Sequence, residues 1–245
     1  SENLNSVFFI NANTGFVVGT NGKILRTSNG GNTWENLVSG TTLNLNSAYF
    51  KDINTGFVVA NQGKILKTTN SGSSWRILSY QNINPSENFY SISFKDSNTG
   101  FVVGEYGSAV FTADGGESWS SWLDNGSEPL YSIQFIDAQN GYAVGKRGTI
   151  AKTVDGGLNW TVNCRDADWS WTILNIPTLN DLYSVNFTDS NTGYAVGNGG
   201  IVLKTSNGGA NWSILTAGSS STWFGSVFFT DKNTGFAVGS YYPNL

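Results

Sequence analysis

The stretch NTGFVVGTNGKILRTSNGGNTW, residues 13–34, decides the fold, because the chain rewrites it several times. Similar stretches occupy residues 54–75, 98–119, 139–160 and 191–212, and a sixth copy opens with NTGFAVGS at Asn233. Self-similarity at a period of about 40 residues, with strand-like apolar runs, is typical of propellers, solenoids and other repeat arrays. The sequence therefore predicts one repeating all-β architecture.

Each repeat predicts four short strands. A Ser-led segment such as SVFF, residues 6–9, has apolar second and fourth places, which is the period of a strand. An Asp-x-Asn-Thr-Gly turn follows, and then an apolar strand such as Phe16-Val17-Val18, whose character indicates cover on both faces. A third strand ends in the turn Thr-x-Asn/Asp-x-Gly-x-x-Trp, and a polar fourth strand forms the outer edge.

These repeats predict a β-propeller of four-stranded antiparallel blades, with five complete blades and half of a sixth. We expect a single domain over residues 1–245. Its repeat units span about 5–40, 46–80, 90–124, 130–172, 182–217 and, incomplete, 225–245. The exposed inner edge of a half blade invites pairing, so we expect the native polypeptide to continue for at least about 20 residues, or a partner chain to fill the gap.

The third place of the Ser-led segment varies freely among Phe8, Tyr49, Ser93, Gln134, Asn186 and Phe228. This variation indicates a face with few packing constraints, such as one that lines a central channel.

The second recurring turn resembles the Asp-box of bacterial neuraminidase repeats. Together with the NTG-(Phe/Tyr)-(Val/Ala)-Val-Gly strand, it resembles the propellers of the photosystem II stability and assembly factor family, whose repeats also occur in many exported bacterial proteins. The resemblance covers about residues 5–240 and implies a propeller that docks a protein. That family is described as using an arginine-rich patch, whereas arginine is scarce and scattered here, so the photosystem partner does not carry over.

Asp-box residues are predicted to be structural. The acidic position is Asp in two repeats and Asn in three, and an acceptor that braces a turn tolerates this exchange whereas a general acid or a hard-cation ligand does not. The Trp of each box is predicted to be a buried anchor. The residues concerned are Asn29, Trp34, Asn70, Trp75, Asp114, Trp119, Asp155, Trp160, Asn207 and Trp212.

Composition excludes several classes of function. The chain has 13 basic and 17 acidic residues, a net charge of −4, which disfavours nucleic-acid binding. No apolar run is long enough for a membrane helix, so membrane insertion is not expected. With no His and only Cys164, a His-based triad or a His/Cys zinc site cannot be built, and we expect no metal and no cofactor.

The residues of the chain can be compared with those that two classes of enzyme require. A sialidase needs three clustered arginines, but the chain has only Arg26, Arg76, Arg147 and Arg165, and it lacks the Arg-Ile-Pro motif. A general glycosidase needs two carboxylates about 5 to 10 Å apart. The connections between repeats contain acids that could form such a pair, but their spacing does not point to one. These acids are Asp124, Glu128, Asp166, Asp168 and Asp181.

The connections and the turns between second and third strands vary from repeat to repeat, and they share one face in the predicted propeller. The richest part lies where repeats three to five meet, and it predicts a ligand or partner surface made of Tyr106, Arg147, Arg165, Asp166, Asp168, Trp169 and Trp171. In an alternative interpretation, Trp169 and Trp171 fold back and seal the core of their own insertion.

We therefore expect a non-catalytic, protein-binding propeller that forms part of a larger protein or assembly. The alternative is a propeller that binds or cleaves glycans. A polar, nearly neutral surface rich in Asn, Gly, Ser and Thr favours an extracellular, cell-surface or periplasmic location.

Overall fold

The computed structural model describes residues 2–78, 87–123, 128–163, 177–216 and 222–241. These residues form five four-stranded antiparallel sheets and one two-stranded sheet, which confirms the predicted blades and half blade. Within these ranges the helical turns are four three-residue 3-10 turns, Thr20–Gly22, Glu105–Gly107, Lys146–Gly148 and Asn198–Gly200. The fold is all-β.

The chain divides into two compact units, and unit 1 is Ser1–Gly126. It holds three sheets, in each of which consecutive strands are neighbours. Its strands are β1 (Leu4–Phe9), β2 (Gly15–Gly19), β3 (Lys23–Thr27), β4 (Glu35–Val38), β5 (Leu45–Phe50), β6 (Gly56–Ala60), β7 (Lys64–Thr68), β8 (Arg76–Ile77), β9 (Phe89–Phe94), β10 (Gly100–Gly104), β11 (Ala109–Thr112) and β12 (Ser120–Leu123).

Unit 2 is Ser127–Leu245 and repeats the same plan. Two sheets have four strands, and the last sheet has two. Its strands are β13 (Leu130–Phe135), β14 (Gly141–Gly145), β15 (Ile150–Thr153), β16 (Thr161–Asn163), β17 (Leu182–Phe187), β18 (Gly193–Gly197), β19 (Ile201–Thr205), β20 (Ser213–Thr216), β21 (Thr222–Phe229) and β22 (Gly235–Tyr241).

The second strand of each complete repeat is covered on both faces, as its apolar sequence predicts. All five residues of β2 are buried, and the same holds for β6, β10, β14 and β18. Residues alternate between the two faces of a strand, so burial of every residue means that both faces of these strands are covered. These strands form the core of the fold.

One aromatic motif joins successive sheets within each unit. In unit 1 Phe16 stacks on Phe50 of the next repeat at 3.9 Å, and Trp75 meets Phe50 edge-on at 6.1 Å. In unit 2 Tyr142 stacks on Phe187 at 3.7 Å, and the Asp-box Trp of that repeat meets Phe187 at 5.9 Å. Offset-stacked and edge-to-face rings are the favoured aromatic geometries, and burial of such rings dominates core energetics.

The Asp-box glycine is required by this packing. A Cβ on Gly116 would lie 2.4 Å from the ring of Phe57 in the preceding repeat, and Gly116 has a φ of +84°. Both the close approach and the left-handed backbone select glycine.

The variable third place of the inner strand has a structural role. The prediction that this face has few packing constraints was therefore wrong in unit 2. The Gln134 side-chain oxygen accepts a hydrogen bond from the Phe187 amide at 2.7 Å, and Asn186 accepts one from the Phe229 amide at 2.8 Å. These side chains link neighbouring inner strands whose main chains do not pair directly.

Candidate functional site

The five Asp-box turns are braced in the same way whether the central residue is Asn or Asp. The Thr27 hydroxyl donates to the Asn29 side-chain oxygen at 3.0 Å, and that oxygen accepts the Thr33 amide at 2.9 Å. Thr153 and Asp155 make the equivalent contact at 2.8 Å, and Asp155 accepts the Asn159 amide at 2.9 Å. The negative charge is therefore not needed for the brace.

Where the box residue is Asp, the brace affects its titration. Hydrogen bonds from the backbone amide and then the side chain of Asn159 lower the pKa of Asp155 from 3.8 to about 2. Hydrogen bonds from the side chain and then the amide of Ser118 lower the pKa of Asp114 as well. A group with a depressed pKa is a poor general acid at neutral pH, because it stays ionised.

The inner strand of every repeat carries a β-bulge near its first residue. Strand pairing shifts between Leu4 and Ser6, between Leu45 and Ser47, between Phe89 and Ser91, between Leu130 and Ser132, between Leu182 and Ser184, and between Phe224 and Ser226. A bulge leaves one residue unpaired and changes the direction of its side chain, and bulges are common beside functional sites. The strand register skips one residue in each repeat, namely Asn5, Asn46, Tyr90, Tyr131, Tyr183 and Gly225.

In unit 2 the bulge residues Tyr131 and Tyr183 form a row with Trp223, which lies two residues before the bulge of its own strand. We call these three residues the aromatic row. The rings of Tyr131 and Tyr183 are 5.3 Å apart, and those of Tyr183 and Trp223 are 5.8 Å apart. A Cβ on Gly225 would lie 2.6 Å from the Trp223 ring, so the glycine at this bulge leaves room for Trp223. All three aromatic side chains are partly exposed.

Charged groups lie at the same end of these strands. Leu130 pairs with Gly145, so the start of β13 lies beside the turn that carries Lys146 and Arg147. Glu128 contacts the Lys146 ammonium at 3.3 Å and the Arg147 guanidinium at 3.4 Å. The Asp181 carboxylate accepts the Arg147 amide at 2.8 Å. We call these four residues the charged rim.

Arg147 occupies a strained position at the tip of its turn. Its φ is +54°, in the left-handed region, where the corresponding residue of the next repeat is Gly199. A non-glycine residue in this region costs about 1 to 2 kcal/mol. Asn21, Gln62 and Tyr106 have the same conformation in the corresponding turns, so the strain belongs to the repeated turn, and the side chain is what distinguishes Arg147.

The predicted surface residues fall into three groups. Arg147 belongs to the charged rim of unit 2. Tyr106 lies at the corresponding turn tip of unit 1, with a φ of +54° and 60% exposure. The predicted contributions of Arg165, Asp166, Asp168, Trp169 and Trp171 lie outside the described residues.

The surroundings of Tyr106 include a further bulge tyrosine. Burial and then the neighbouring Glu105 carboxylate raise the pKa of Tyr90 above its usual value. The Asn88 side chain donates to Glu105 at 2.8 Å. Unit 1 therefore has one bulge tyrosine beside its turn, whereas the described part of unit 2 has two.

Sequence reasoning missed the aromatic row. Tyr131 and Tyr183 directly precede the Ser-led segments, and in a regular strand that place has no special role. The available signal was internal comparison, since the same place holds Asn in the first two repeats, Tyr in the next three and Gly in the last.

The described part of the chain lacks two other kinds of feature. No cluster of three or more Asp, Glu, Cys or His residues there could hold a metal ion. No helix within these residues has the length and apolar character needed to cross a membrane.

Comparisons with known proteins bear on the family and the fold. The family model described as photosynthesis system II assembly factor YCF48 matches residues 1–87 and 163–242, about two thirds of the chain. No curated protein sequence matches.

Three solved structures illustrate the likeness. YCF48 bound to a D1 peptide shares 19% identity with a TM-score of 0.54, over 98% of this chain and 91% of that one. YCF48 from Cyanidioschyzon merolae shares 16% with a TM-score of 0.56, over 98% and 93% of the two chains. The GH74 enzyme of Niastella koreensis shares 15% with a TM-score of 0.71, over 96% of this chain and 44% of the enzyme. The chain thus spans less than half of that enzyme, and these likenesses show a shared β-propeller fold.

Proposed function

Because this chain belongs to the family of the photosynthesis system II assembly factor YCF48, we propose that it is a non-catalytic propeller that binds a segment of another protein. The binding surface in this proposal is the aromatic row with the charged rim beside it. One relative in the comparison was solved with a D1 peptide bound, which supports a peptide segment as the type of ligand.

The aromatic row is the observation that carries the proposal. Tyr and Trp supply a large contact area with few rotatable bonds, and together with Arg they are the residues enriched at binding hot spots. Tyr131, Tyr183 and Trp223 come from three successive inner strands and are partly exposed. Their ring planes are inclined by 50° and 83°, so the rings contact one another edge to face and form a stepped aromatic surface rather than one flat face. Apolar side chains of a peptide can pack on such a surface.

The charged rim complements the row. Arg147 and Lys146 share the carboxylate of Glu128, and with Asp181 the four residues of the rim have a formal charge of zero. Arg147 is 55% exposed at its side chain, which leaves its guanidinium accessible to solvent. A carboxylate or a backbone carbonyl of a bound segment can pair with these donors.

The titration of the acids favours binding over catalysis. A glycosidase needs a carboxylic acid whose pKa is raised so that it holds a proton. Every described carboxyl with a shifted pKa is shifted downward. Hydrogen bonds in the turns outweigh the effect of burial for the seven aspartates. The hydrogen bond and the charge of the Lys67 ammonium lower the pKa of Glu117.

The second candidate is a glycan-binding or glycan-cleaving propeller. The fold likeness to a GH74 enzyme favours it, and aromatic side chains also stack on sugar rings. An extracellular, cell-surface or periplasmic location is part of either proposal, supported by the polar and nearly uncharged composition. Fractionation of the native host, with detection by antibody, tests that location.

The test is selection of linear peptides from a phage-displayed library on the full chain, with the D1 peptide titrated in parallel. We expect a common peptide motif that contains an apolar or aromatic residue. Replacing both row tyrosines, Tyr131→Asn and Tyr183→Asn, should weaken binding of that motif by at least about 10-fold, as expected for hot-spot residues. Leu158→Ala is the matched control, since Leu158 is 81% exposed in an Asp-box turn of the same unit.

Three outcomes decide between the candidates. A motif that is lost in the tyrosine variant and kept in the control supports the proposal, provided that both variants melt cooperatively. The proposed site is refuted if the phage selection yields no common peptide motif. It is also refuted if the selected peptides bind the double tyrosine variant as tightly as the parent. Release of reducing sugar from an array of glycans refutes the non-catalytic assignment.

A further inference from the structure

The turn between β10 and β11 carries an acid where the other complete repeats carry none. Glu105 opens this turn, and the segments that meet here, residues 87–94 and 100–108, hold Glu87 and Glu105 and no Lys or Arg. The local charge therefore favours a cation. The residues that open the corresponding turns of the other repeats are Thr20, Asn61, Lys146 and Asn198.

One residue of the preceding connection holds the Glu105 side chain in place. Asn88 donates to Glu105 Oε2 from its side-chain amide at 2.8 Å and from its backbone amide at 3.3 Å. The Asn88 carbonyl accepts the Glu105 amide at 2.8 Å, and the Asn88 side-chain oxygen accepts the Gln62 amide at 3.1 Å. Each polar atom of Asn88 is thus engaged, and the carboxylate is fixed before any ligand arrives.

This brace accounts for one oxygen of Glu105 and leaves the other unused. In the first repeat the Thr20 hydroxyl accepts the Asn3 amide at 2.9 Å, the same backbone contact that Glu105 makes with Asn88. A neutral side chain with one acceptor is therefore enough for the brace. Among the described residues, Glu105 Oε1 accepts no hydrogen bond, and no Lys or Arg nitrogen lies within 4.0 Å of the carboxylate.

Two tyrosines flank this carboxylate. Tyr106 follows Glu105 in the turn and is 60% exposed. Tyr90 is the bulge residue beside the pair of Phe89 and Gly104, and Gly104 directly precedes Glu105. Burial raises the pKa of the Tyr90 hydroxyl, and the nearby charges of Glu105 and Tyr106 raise it further. The two aromatic side chains and the carboxylate therefore share one small area.

We propose that Glu105, Tyr106 and Tyr90 form a subsite for an arginine side chain of a partner segment. The guanidinium donates to Glu105 Oε1, and its planar face lies against the exposed Tyr106 ring. Arginine suits the site because a guanidinium is more weakly hydrated than an ammonium and stacks on aromatic faces. The Asn88 brace adds to affinity, since a preorganised carboxylate loses little freedom on binding.

The subsite extends the proposed function, on which its role in partner binding rests. In the charged rim of unit 2, Lys146 occupies the place that Glu105 has in unit 1. The rim offers donors for a carboxylate or a carbonyl, whereas the subsite offers an acceptor for a cation. The chain thereby presents separate recognition elements for acidic and for basic residues of a partner.

The test uses the tripeptide acetyl-Ala-Arg-Ala-amide, titrated into the isotope-labelled full chain. The backbone amide shifts of Glu105 and Tyr106, followed by nuclear magnetic resonance, report occupancy of the subsite. The matched probe replaces arginine with citrulline, which has nearly the same shape and no charge. We expect saturable shifts with a midpoint at or below about 20 mM for the arginine peptide, and at least about 5-fold weaker binding of the citrulline peptide.

Two variants separate the contributions of the charge and the ring. Glu105→Gln keeps an acceptor oxygen for Asn88 and removes the charge, so it should weaken binding of the arginine peptide by at least about 5-fold. Tyr106→Asn restores the residue of the first repeat, Asn21, whose φ is +57° against +54° for Tyr106. This variant should weaken binding by about 2- to 5-fold, because the ring is lost.

Glu35→Gln is the matched control. It removes one negative charge from the same unit, at a carboxylate that already contacts the Arg26 guanidinium at 3.2 Å, and it should leave binding unchanged. The proposal is overturned if the shifts do not saturate by about 50 mM, or if the citrulline peptide binds as tightly as the arginine peptide. Equal binding by the parent and Glu105→Gln, or equal weakening in Glu105→Gln and Glu35→Gln, also overturns it.

These outcomes are separate from the test of the proposed function. The tripeptide titration requires no selected motif, and none of the three variants alters the aromatic row. Saturable arginine binding together with a failed peptide selection keeps the subsite and refutes the aromatic row as the binding surface. A successful selection together with no arginine binding refutes the subsite alone.

Discussion

Units 1 and 2 use the same bulged inner strand and place different side chains on it. In unit 1 the Asn5 amide group donates to the Leu45 carbonyl at 2.9 Å, and Asn46 donates to the Phe89 carbonyl at 2.6 Å. In unit 2 the same places hold Tyr131 and Tyr183, whose rings lie 5.3 Å apart. One backbone position thus ties neighbouring sheets together in the first two repeats of unit 1, whereas it holds a tyrosine in the third repeat and in both complete repeats of unit 2. The comparison teaches that the backbone of the repeat is scaffold and that its bulge is the place where function can vary.

The largest expected effect concerns the scaffold that both units share. Thr68 and Thr153 are each 1% exposed, and each hydroxyl accepts the amide of a box glycine at 2.9 Å. Thr68→Val and Thr153→Val should each lower the free energy of unfolding by about 2 to 4 kcal/mol, because buried amides lose their acceptor. Urea denaturation measures both. Thr→Ser at each site keeps the hydroxyl and should cost much less.

Equal losses at Thr68 and Thr153 would support a common scaffold. A difference above about 1.5 kcal/mol would contradict it, since that exceeds the usual context dependence of one hydrogen bond.

The bulge itself should respond differently in the two units. Asn46→Ala removes donors to the Phe89 carbonyl and to the Asn61 side chain, at 2.6 and 2.8 Å, and should destabilise by about 1 to 2 kcal/mol. Tyr183→Asn restores the residue that unit 1 uses, so its cost should be about 1 kcal/mol, the value of the lost ring contacts. Thermal melting with calorimetry resolves both changes. A cost for Tyr183→Asn well above that for Asn46→Ala would mean that Tyr183 is a core residue rather than a binding residue.

Substitutions at the turn tips should have a smaller effect on stability, in the opposite direction. Tyr106 in unit 1 and Arg147 in unit 2 both have a φ of +54°. Tyr106→Gly and Arg147→Gly relieve this conformation and should stabilise the fold by up to about 1 kcal/mol each. Chemical denaturation measures the change. Gly199→Ala, at the corresponding turn, is the inverse control and should destabilise. Loss of stability in Arg147→Gly would show that side-chain contacts of Arg147 outweigh the strain.

The smallest effect is a pH dependence in the Asp-boxes. The pKa of Asp155 falls from 3.8 to about 2 on folding, so its contribution to stability is complete above about pH 5 and declines as the pH drops toward 2. Asp155→Asn should flatten this part of the stability curve while keeping the fold, as Asn207 does in the next repeat. Melting temperatures between pH 5 and pH 2 test this. Identical acid sensitivity of the variant and the parent would contradict the assignment of the shift.

Much of the fold can be predicted from the sequence, because the same turns recur at the same spacing in every repeat. The boundaries of β2 and β14 follow from Gly at both ends of an apolar run. The bulges could not be read in this way. Tyr131 and Tyr183 fit an ordinary strand pattern, and only the pairing of Leu130 with Gly145 and of Ser132 with Val144 reveals the extra residue.

The candidate site was predictable in part. The place of Arg147 at a variable turn tip predicts it as a site residue, and the structure adds its contact with Glu128. The sequence presents Glu128 and Asp181 only as candidate acids of a glycosidase, because their contacts with the Arg147 side chain and amide span 19 and 34 residues of sequence. Interactions of that range have no local signal.

The tolerance of the Asp-box for either Asn or Asp has an evolutionary consequence. A single nucleotide change converts one residue into the other, and the hydrogen bonds of Asn29 and Asp155 show that the turn survives the exchange. A lineage can therefore vary the number of negative charges at these five turns between zero and five, one at a time, without rebuilding the fold. Selection can therefore change how strongly the protein attracts a charged partner, and how far salt weakens that attraction, while the architecture stays the same.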